Sequence, residues 1–258
     1  MQLAKHVAQG KLTYLSQGND VISICENEHF RWLAFTYENG EQIIQSMMHK
    51  RKPWLLTLPH QTAMMLPLLF FKPNNIAELG LGGGNIQRFI HHVSKNISIY
   101  SIEHSSLIID CFNQYFNPQQ NKTHIIYSDS KQWLQHNNIE FDWYIFDVYQ
   151  KEIQSYNNTV NQLEYITSNI EPHTCLSINL PDATDNEVNL LLTIIKGISP
   201  QHDITYFHIP NYLNIVIHVI PKQWQNFKRI KRDNHSYLPK NVFSRWKKFW
   251  LHGKRIPE

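Results

Sequence analysis

Cysteine is scarce in this 258-residue chain, and its three copies, Cys25, Cys111 and Cys175, are far apart and odd in number. With no CxxC pair and no ligand spacing among them, neither a disulfide scaffold nor a thiolate metal site is expected, and a reducing cytosol is the expected compartment. Histidine is plentiful, at 15 copies, but shows no HExxH-type spacing, so no metal is expected and most histidines should lie at the surface. Long apolar runs are missing too. No stretch of about 18 uncharged apolar residues exists to span a bilayer, and residues 1–11 lack the apolar run of a secretory leader.

What is present supports a globular fold. Hydrophobic residues make up 42% and aromatics 12% of the chain, which argues against disorder. The length fits one medium domain with an appendage, or two small domains. Charge is unevenly spread: residues 222–258 sum to +9 and residues 1–221 to −6. In the basic tail, Trp224, Phe227, Trp246, Phe249 and Trp250 are interleaved with lysine and arginine. Such a mixture can grip nucleic acid, aromatics on bases and cations on phosphates; solvated charge around a few packed tryptophans is the simpler reading.

Patterning divides the chain into an N-terminal β unit with its connection (1–58), a nucleoside-binding domain (59–221) and the basic extension (222–258). Residues 21–25, 30–35 and 42–47 read as three strands of an antiparallel unit, with Asn39-Gly40 as a hairpin turn. Residues 61–70 read as a helix bent at Pro67. From residue 76 onward short apolar strands alternate with helices, which predicts a Rossmann-like, seven-stranded, mostly parallel α/β sheet with one reversed strand. Residues 242–252 read as an amphipathic helix.

The most informative stretch is Ile76-Ala77-Glu78-Leu79-Gly80-Leu81-Gly82-Gly83-Gly84-Asn85. A strand enters a turn with four glycines in five positions and leaves as a helix, so the main chain can approach a ligand and aim helix N–H groups at it. The dinucleotide motif GxGxxG is incomplete, because Asn85 stands at its third glycine. In open α/β sheets ligands sit at the carboxyl ends of the strands, and those ends carry Gly80–Gly84, Glu103, Asp129 and Asp147. Glu103 suits a ribose diol. Asp129 suits an adenine amino group, which favours an S-adenosylmethionine (SAM) type of nucleoside over NAD. Asp129 equally suits a cap for the helix after it, and Glu78 suits a structural partnership with Arg88 or solvent.

These four segments, with Ser101-Ile102-Glu103, Tyr127-Ser128-Asp129-Ser130 and Phe141 to Asp147 as they stand here, resemble the spermidine synthase family. This is the aminopropyltransferase branch of the SAM-methyltransferase-like fold, and the resemblance runs over about residues 21–220. It implies a homodimer that moves an aminopropyl group from decarboxylated SAM, or a SAM relative, to an amine acceptor. It implies that Gly80, Gly82, Gly83 and Gly84 face the methionine-derived part, that Glu103 binds ribose, and that Asp129 with Ser130 binds adenine. Asp147 would accept the proton of the attacking amine, and His60, Tyr149, Gln150 and Glu152 are the weaker candidates for the acceptor. Two departures are visible. Gly83 stands where the family usually has an aspartate, and its bare N–H would suit the carboxylate of ordinary SAM. Gln150 stands where a second aspartate is usual. Methyl transfer from SAM on the same scaffold, or nucleoside binding without turnover, therefore stay open.

Overall fold

A computed structural model describes residues 10–16, 21–36, 42–148, 155–224 and 237–255. The first layer is a four-stranded antiparallel sheet in the order β1 (Lys11–Leu15), β2 (Val21–Glu26), β3 (Phe30–Thr36), β4 (Gln42–His49). One strand more than expected is present. Strand β1 lies in the polar N-terminal stretch, where four of its five residues are exposed and leave little apolar alternation to read. The Asn39-Gly40 turn falls outside the described residues.

Helix α1 (Pro59–Met64) follows, then a short 3-10 turn, Leu66–Leu69. The single helix expected over 61–70 is thus broken at Met65. Pro67 has no N–H to continue an α-helical ladder, and the chain tightens to i→i+3 bonds such as Phe70 N–H to the Pro67 carbonyl, 2.9 Å. The main domain then alternates: β5 (Asn75–Leu79), α2 (Asn85–Val93), β6 (Ser98–Glu103), α3 (Ser106–Cys111), β7 (His124–Tyr127), α4 (Ser130–His136), β8 (Trp143–Phe146), α5 (Ser155–Asn169), β9 (Cys175–Leu180), α6 (Asp185–Ile198), β10 (His202–His208) and β11 (Ile215–Pro221). Helix α7 (Lys240–Trp250) and strand β12 (Lys254–Arg255) close it.

The strand order is β12-β10-β11-β9-β8-β5-β6-β7. Pairs β9–β8, β8–β5, β5–β6 and β6–β7 are parallel, whereas β11 runs against both neighbours and β12 against β10. The expected seven strands are joined by an eighth, two residues long, which the basic tail contributes.

Period-two alternation sends neighbouring residues to opposite layers. Ile76, Trp143 and Ile145 pack with α2 and α7 on one face, while Ala77, Leu79 and Phe146 pack with α4, α5 and α6 on the other. The tail is therefore no loose extension. Phe243, Trp246 and Trp250 of α7 are buried against the sheet, so those aromatics are unavailable for stacking on a nucleic acid. Beneath α7 lies a buried polar chain. Trp143 Nε1–H donates to the Ser177 hydroxyl at 2.9 Å, and Ser177 meets His218 Nδ1 at 2.8 Å. His218 Nε2 lies 3.0 Å from the Ala63 carbonyl. A carbonyl can only accept, so Nε2 carries the proton and Nδ1 accepts from Ser177. Burial pushes the His218 pKa down to about 3, which keeps the ring neutral.

Candidate active site

Because β7, β6, β5, β8 and β9 are successive parallel neighbours, their carboxyl ends form a row: Asp129, Glu103, Gly80, Asp147 and, near the end of β9, Asn179. At about 4.8 Å per strand, the β7 and β8 ends are roughly 14 Å apart. A cavity of about 920 Å³ opens over this row, roofed on one side by β2–β4 of the small sheet. Of the residues singled out in the sequence, it brings together Gly80, Gly82, Glu103, Asp129, Ser130, Asp147 and His60 in its wall. Tyr149, Gln150 and Glu152 lie outside the described residues. Among the described residues no group of three or more His, Cys, Asp or Glu is arranged to hold a metal, and no helix is long and apolar enough to cross a membrane.

The glycine turn is built by backbone need. Gly80 has φ +95°, and a Cβ there would strike the Asp147 carbonyl oxygen, so β5 and β8 can approach only at glycine. Gly82, at φ +51°, lies in the cavity wall. Gly83 and Gly84 lie outside that wall. A Cβ on Gly83 would fall 2.7 Å from the Ser46 Cβ, and one on Gly84 would run into the Phe112 ring. The expectation of a bare N–H at Gly83 is corrected here: it donates to Ser46 Oγ at 2.9 Å.

Arg88 pins the turn from behind. Its guanidinium donates to the carbonyls of Pro53 (2.8 Å), Phe116 (2.7 Å) and Gly83, and to Asn85 Oδ1. Burial pushes its pKa down to about 9, with Glu78 opposing. Direct pairing of Glu78 with Arg88, one of the structural readings of the sequence, is not what forms. Glu78 sits directly across from Ser101 in the β5–β6 register and accepts its hydroxyl proton. Burial pushes the Glu78 carboxyl up to about 8 against that hydrogen bond, helped by Asp147.

At the β6–β7 end, Glu103 is only 7% exposed. Burial opposes its ionisation, yet His104 at 3.2 Å and the N–H groups of Ser105 (3.0 Å) and Leu81 (3.2 Å) outweigh it and hold the pKa below the usual carboxylate value. Asp129 caps α4, its Oδ1 accepting from Gln132 N–H at 3.0 Å. It is exposed to the cavity at the same time. The Ser130 hydroxyl donates to Gln162 Oε1 at 2.7 Å, which ties α4 to α5.

At the β8–β9 end, Asp147 is fixed twice. Its N–H donates to the Leu79 carbonyl at 2.9 Å, and its Oδ1 accepts from Asn179 Nδ2 at 2.8 Å. Asn214 Nδ2 in turn donates to Asn179 Oδ1 at 3.0 Å. His60, half-buried on α1, has a wholly buried Nδ1 with no hydrogen-bond partner. Burial pushes its pKa down, with Asp147 opposing. Sequence reasoning gave neither Asn179 nor Asn214 a place in the site. It also missed Asp182, which lines the cavity with φ +56°, and Gln45, whose Nε2 is buried there without a partner. The strand-end rule, carried on to β9, would have found Asn179; Gln45 carries no local signal.

No protein-family profile and no curated protein matches this chain. Solved structures do. A probable spermidine synthase from Corynebacterium glutamicum superposes with a TM-score of 0.67, at 16% identity, covering 81% of this chain and 80% of that one. Spermidine synthase from Thermotoga maritima gives 0.61 at 14% identity, over 93% and 88%. This chain has the spermidine synthase fold. Human methyltransferase-like protein 13, in a complex with SAH, is related at 0.55 and 16% identity, over 78% and 96%. The likeness to spermidine synthases covers most of both chains. A spermidine synthase with the same 0.61 score was solved with the transition-state analogue AdoDATO.

Proposed function

We propose that this protein is a SAM-type transferase that moves an aminopropyl group to an amine, with Asp147 as proton acceptor. The observation that carries this reading is the single cavity. It spans Asp129 and Glu103 at one end, the Gly80–Gly82 turn in the middle and Asp147 at the other. Glu103, kept ionised, suits a ribose diol, and Asp129 suits the adenine amino group beyond it. Decarboxylated SAM is the favoured co-substrate, with SAM as the alternative. Two of the fold-mates were solved with a molecule of this kind bound, one with AdoDATO and one with SAH.

The chemistry is a displacement at carbon. The amine lone pair attacks the propyl carbon beside the sulfonium, and the C–S pair leaves with sulfur as methylthioadenosine. Asp147 first takes a proton from the substrate ammonium, which frees that lone pair. An alkylamine is largely protonated near pH 7, so an acceptor held within reach is needed. The other effects are positioning and exclusion of water.

Methyl transfer from SAM is the second reading. It draws on Gly83, which offers no carboxylate to the tail of a decarboxylated nucleoside, and on the methyltransferase among the fold-mates. Titration calorimetry with methylthioadenosine, SAM and decarboxylated SAM tests both. Binding by none of the three would sink the proposal, and a clear preference for SAM would move it to methyl transfer.

A further inference from the structure

Two side-chain amides stand in series behind Asp147, and the displacement described above makes no use of them. Asn214 donates to Asn179 at 3.0 Å, and Asn179 donates to Asp147 Oδ1 at 2.8 Å. We infer that Asn179 and Asn214 are positioning residues for Asp147: a directional amide pair that commits one carboxylate oxygen and leaves the other for the acceptor amine. This inference rests on the reading of Asp147 as the proton acceptor.

The direction follows from donor and acceptor chemistry. An ionised carboxylate only accepts, so Asn179 must present its NH2 group to Asp147. The Asn179 carbonyl then faces the opposite way, and at 5% exposure it needs a buried donor. Asn214 supplies one. Turning the Asn179 amide over would set NH2 against NH2 and oxygen against carboxylate. With a carboxylate at Asp147, only one arrangement of the three side chains is therefore satisfied.

The backbone holds the pair in place. Asn179 is opposite Val216 in the antiparallel β9–β11 register, and Asn214 precedes β11 by one residue. The turn that delivers Asn214 contains Asn211 at φ +63°. Asp147 is anchored to β5 through its N–H and to β9 through its side chain. With one oxygen fixed, the second has little freedom to rotate away. Among the described residues Oδ1 alone of the two oxygens is hydrogen-bonded.

Two measurements on the full chain test this. The first is NMR of the side-chain amides in uniformly 15N-labelled protein, which needs no turnover. Asp147→Ala is expected to move the NH2 signals of both Asn179 and Asn214, and Asn214→Ala to move that of Asn179. An Asn214 signal unmoved by Asp147→Ala would overturn the relay. The second is amine-dependent release of methylthioadenosine from decarboxylated SAM. Asn214→Ala is expected to lower kcat about tenfold with the amine KM within about twofold, and Asn214→Ser, which keeps a donor, to recover part of the loss. An unchanged kcat in Asn214→Ala would refute the positioning role. Coupled amide signals in a protein that releases no methylthioadenosine with any amine would uphold the relay and reject the transferase reading alone.

Discussion

The two halves of the cavity are made in different ways. At the β6–β7 end each carboxylate is held by backbone N–H groups: Glu103 by those of Ser105, two residues on, and Leu81, 22 residues back, and Asp129 by that of Gln132, three residues on. At the β8–β9 end Asp147 is held by Asn179, 32 residues away, which is held by Asn214, 35 residues further. His60 reaches the same place from α1. Backbone donors fix a carboxylate cheaply, because the strand end and the helix start already exist. A side-chain relay needs three segments to arrive in register. Under the proposed function, the first half would serve any transfer from the same nucleoside, whereas the second would set which acceptor is used.

The sharpest way to break that division is at Asp147. Asp147→Asn is expected to lower amine-dependent turnover by about 10²–10⁴-fold, while methylthioadenosine affinity by calorimetry stays within about threefold. A parallel loss of affinity would mean that the two ends are not separable. The converse variant, Glu103→Gln, removes the charge proposed to meet a ribose and weakens the acceptor for Leu81 and Ser105 N–H. Methylthioadenosine binding is expected to weaken about tenfold to a hundredfold, as for loss of a charged hydrogen bond. Turnover at saturating nucleoside should change much less.

The turn between the halves belongs to both. Gly84→Ala forces a Cβ into the Phe112 ring at a φ of +64°, and urea unfolding should show a loss of about 1–3 kcal/mol. A neutral result would mean that Phe112 moves aside freely. A further effect is expected at Glu78. Its folded pKa, about 8, lies above the unfolded value, so the stability it contributes is complete below about pH 4.5 and lost as pH rises through about 8. Glu78→Gln keeps the acceptor for Ser101 without the charge. It should therefore gain on the natural chain between pH 5 and pH 9 in urea unfolding. Parallel pH curves for the two proteins would contradict a buried, protonated Glu78.

The same contrast explains what could be read from the amino-acid order. Strand–helix alternation from Ile76 onward, the glycine turn and the carboxylates at Glu103, Asp129 and Asp147 are local patterns, and they were legible. Strand β1 was not, because its residues mostly face solvent. Strand β12 was not, because two residues carry no periodicity. The engagement of the Gly83 N–H was hidden because Ser46 comes from another sheet, 37 residues earlier. Asn179, Gln45 and Asp182 were overlooked because their placement depends on how β9, β4 and the turn after β9 meet. The basic tail followed the simpler reading of its composition: its charge is conspicuous, yet Trp246 and Trp250 pack in the core.

That tail has a consequence for biosynthesis. Phe243, Trp246 and Trp250 supply the cover for Phe207 and His218, and they are translated more than twenty residues after the last strand of the preceding run, β11. Until they emerge from the ribosome, the cover over Phe207 and His218 is missing. The nascent chain can lay down the strands that carry the cavity, but its final consolidation must wait for α7. During that interval the uncovered face is the natural place for a chaperone to hold it.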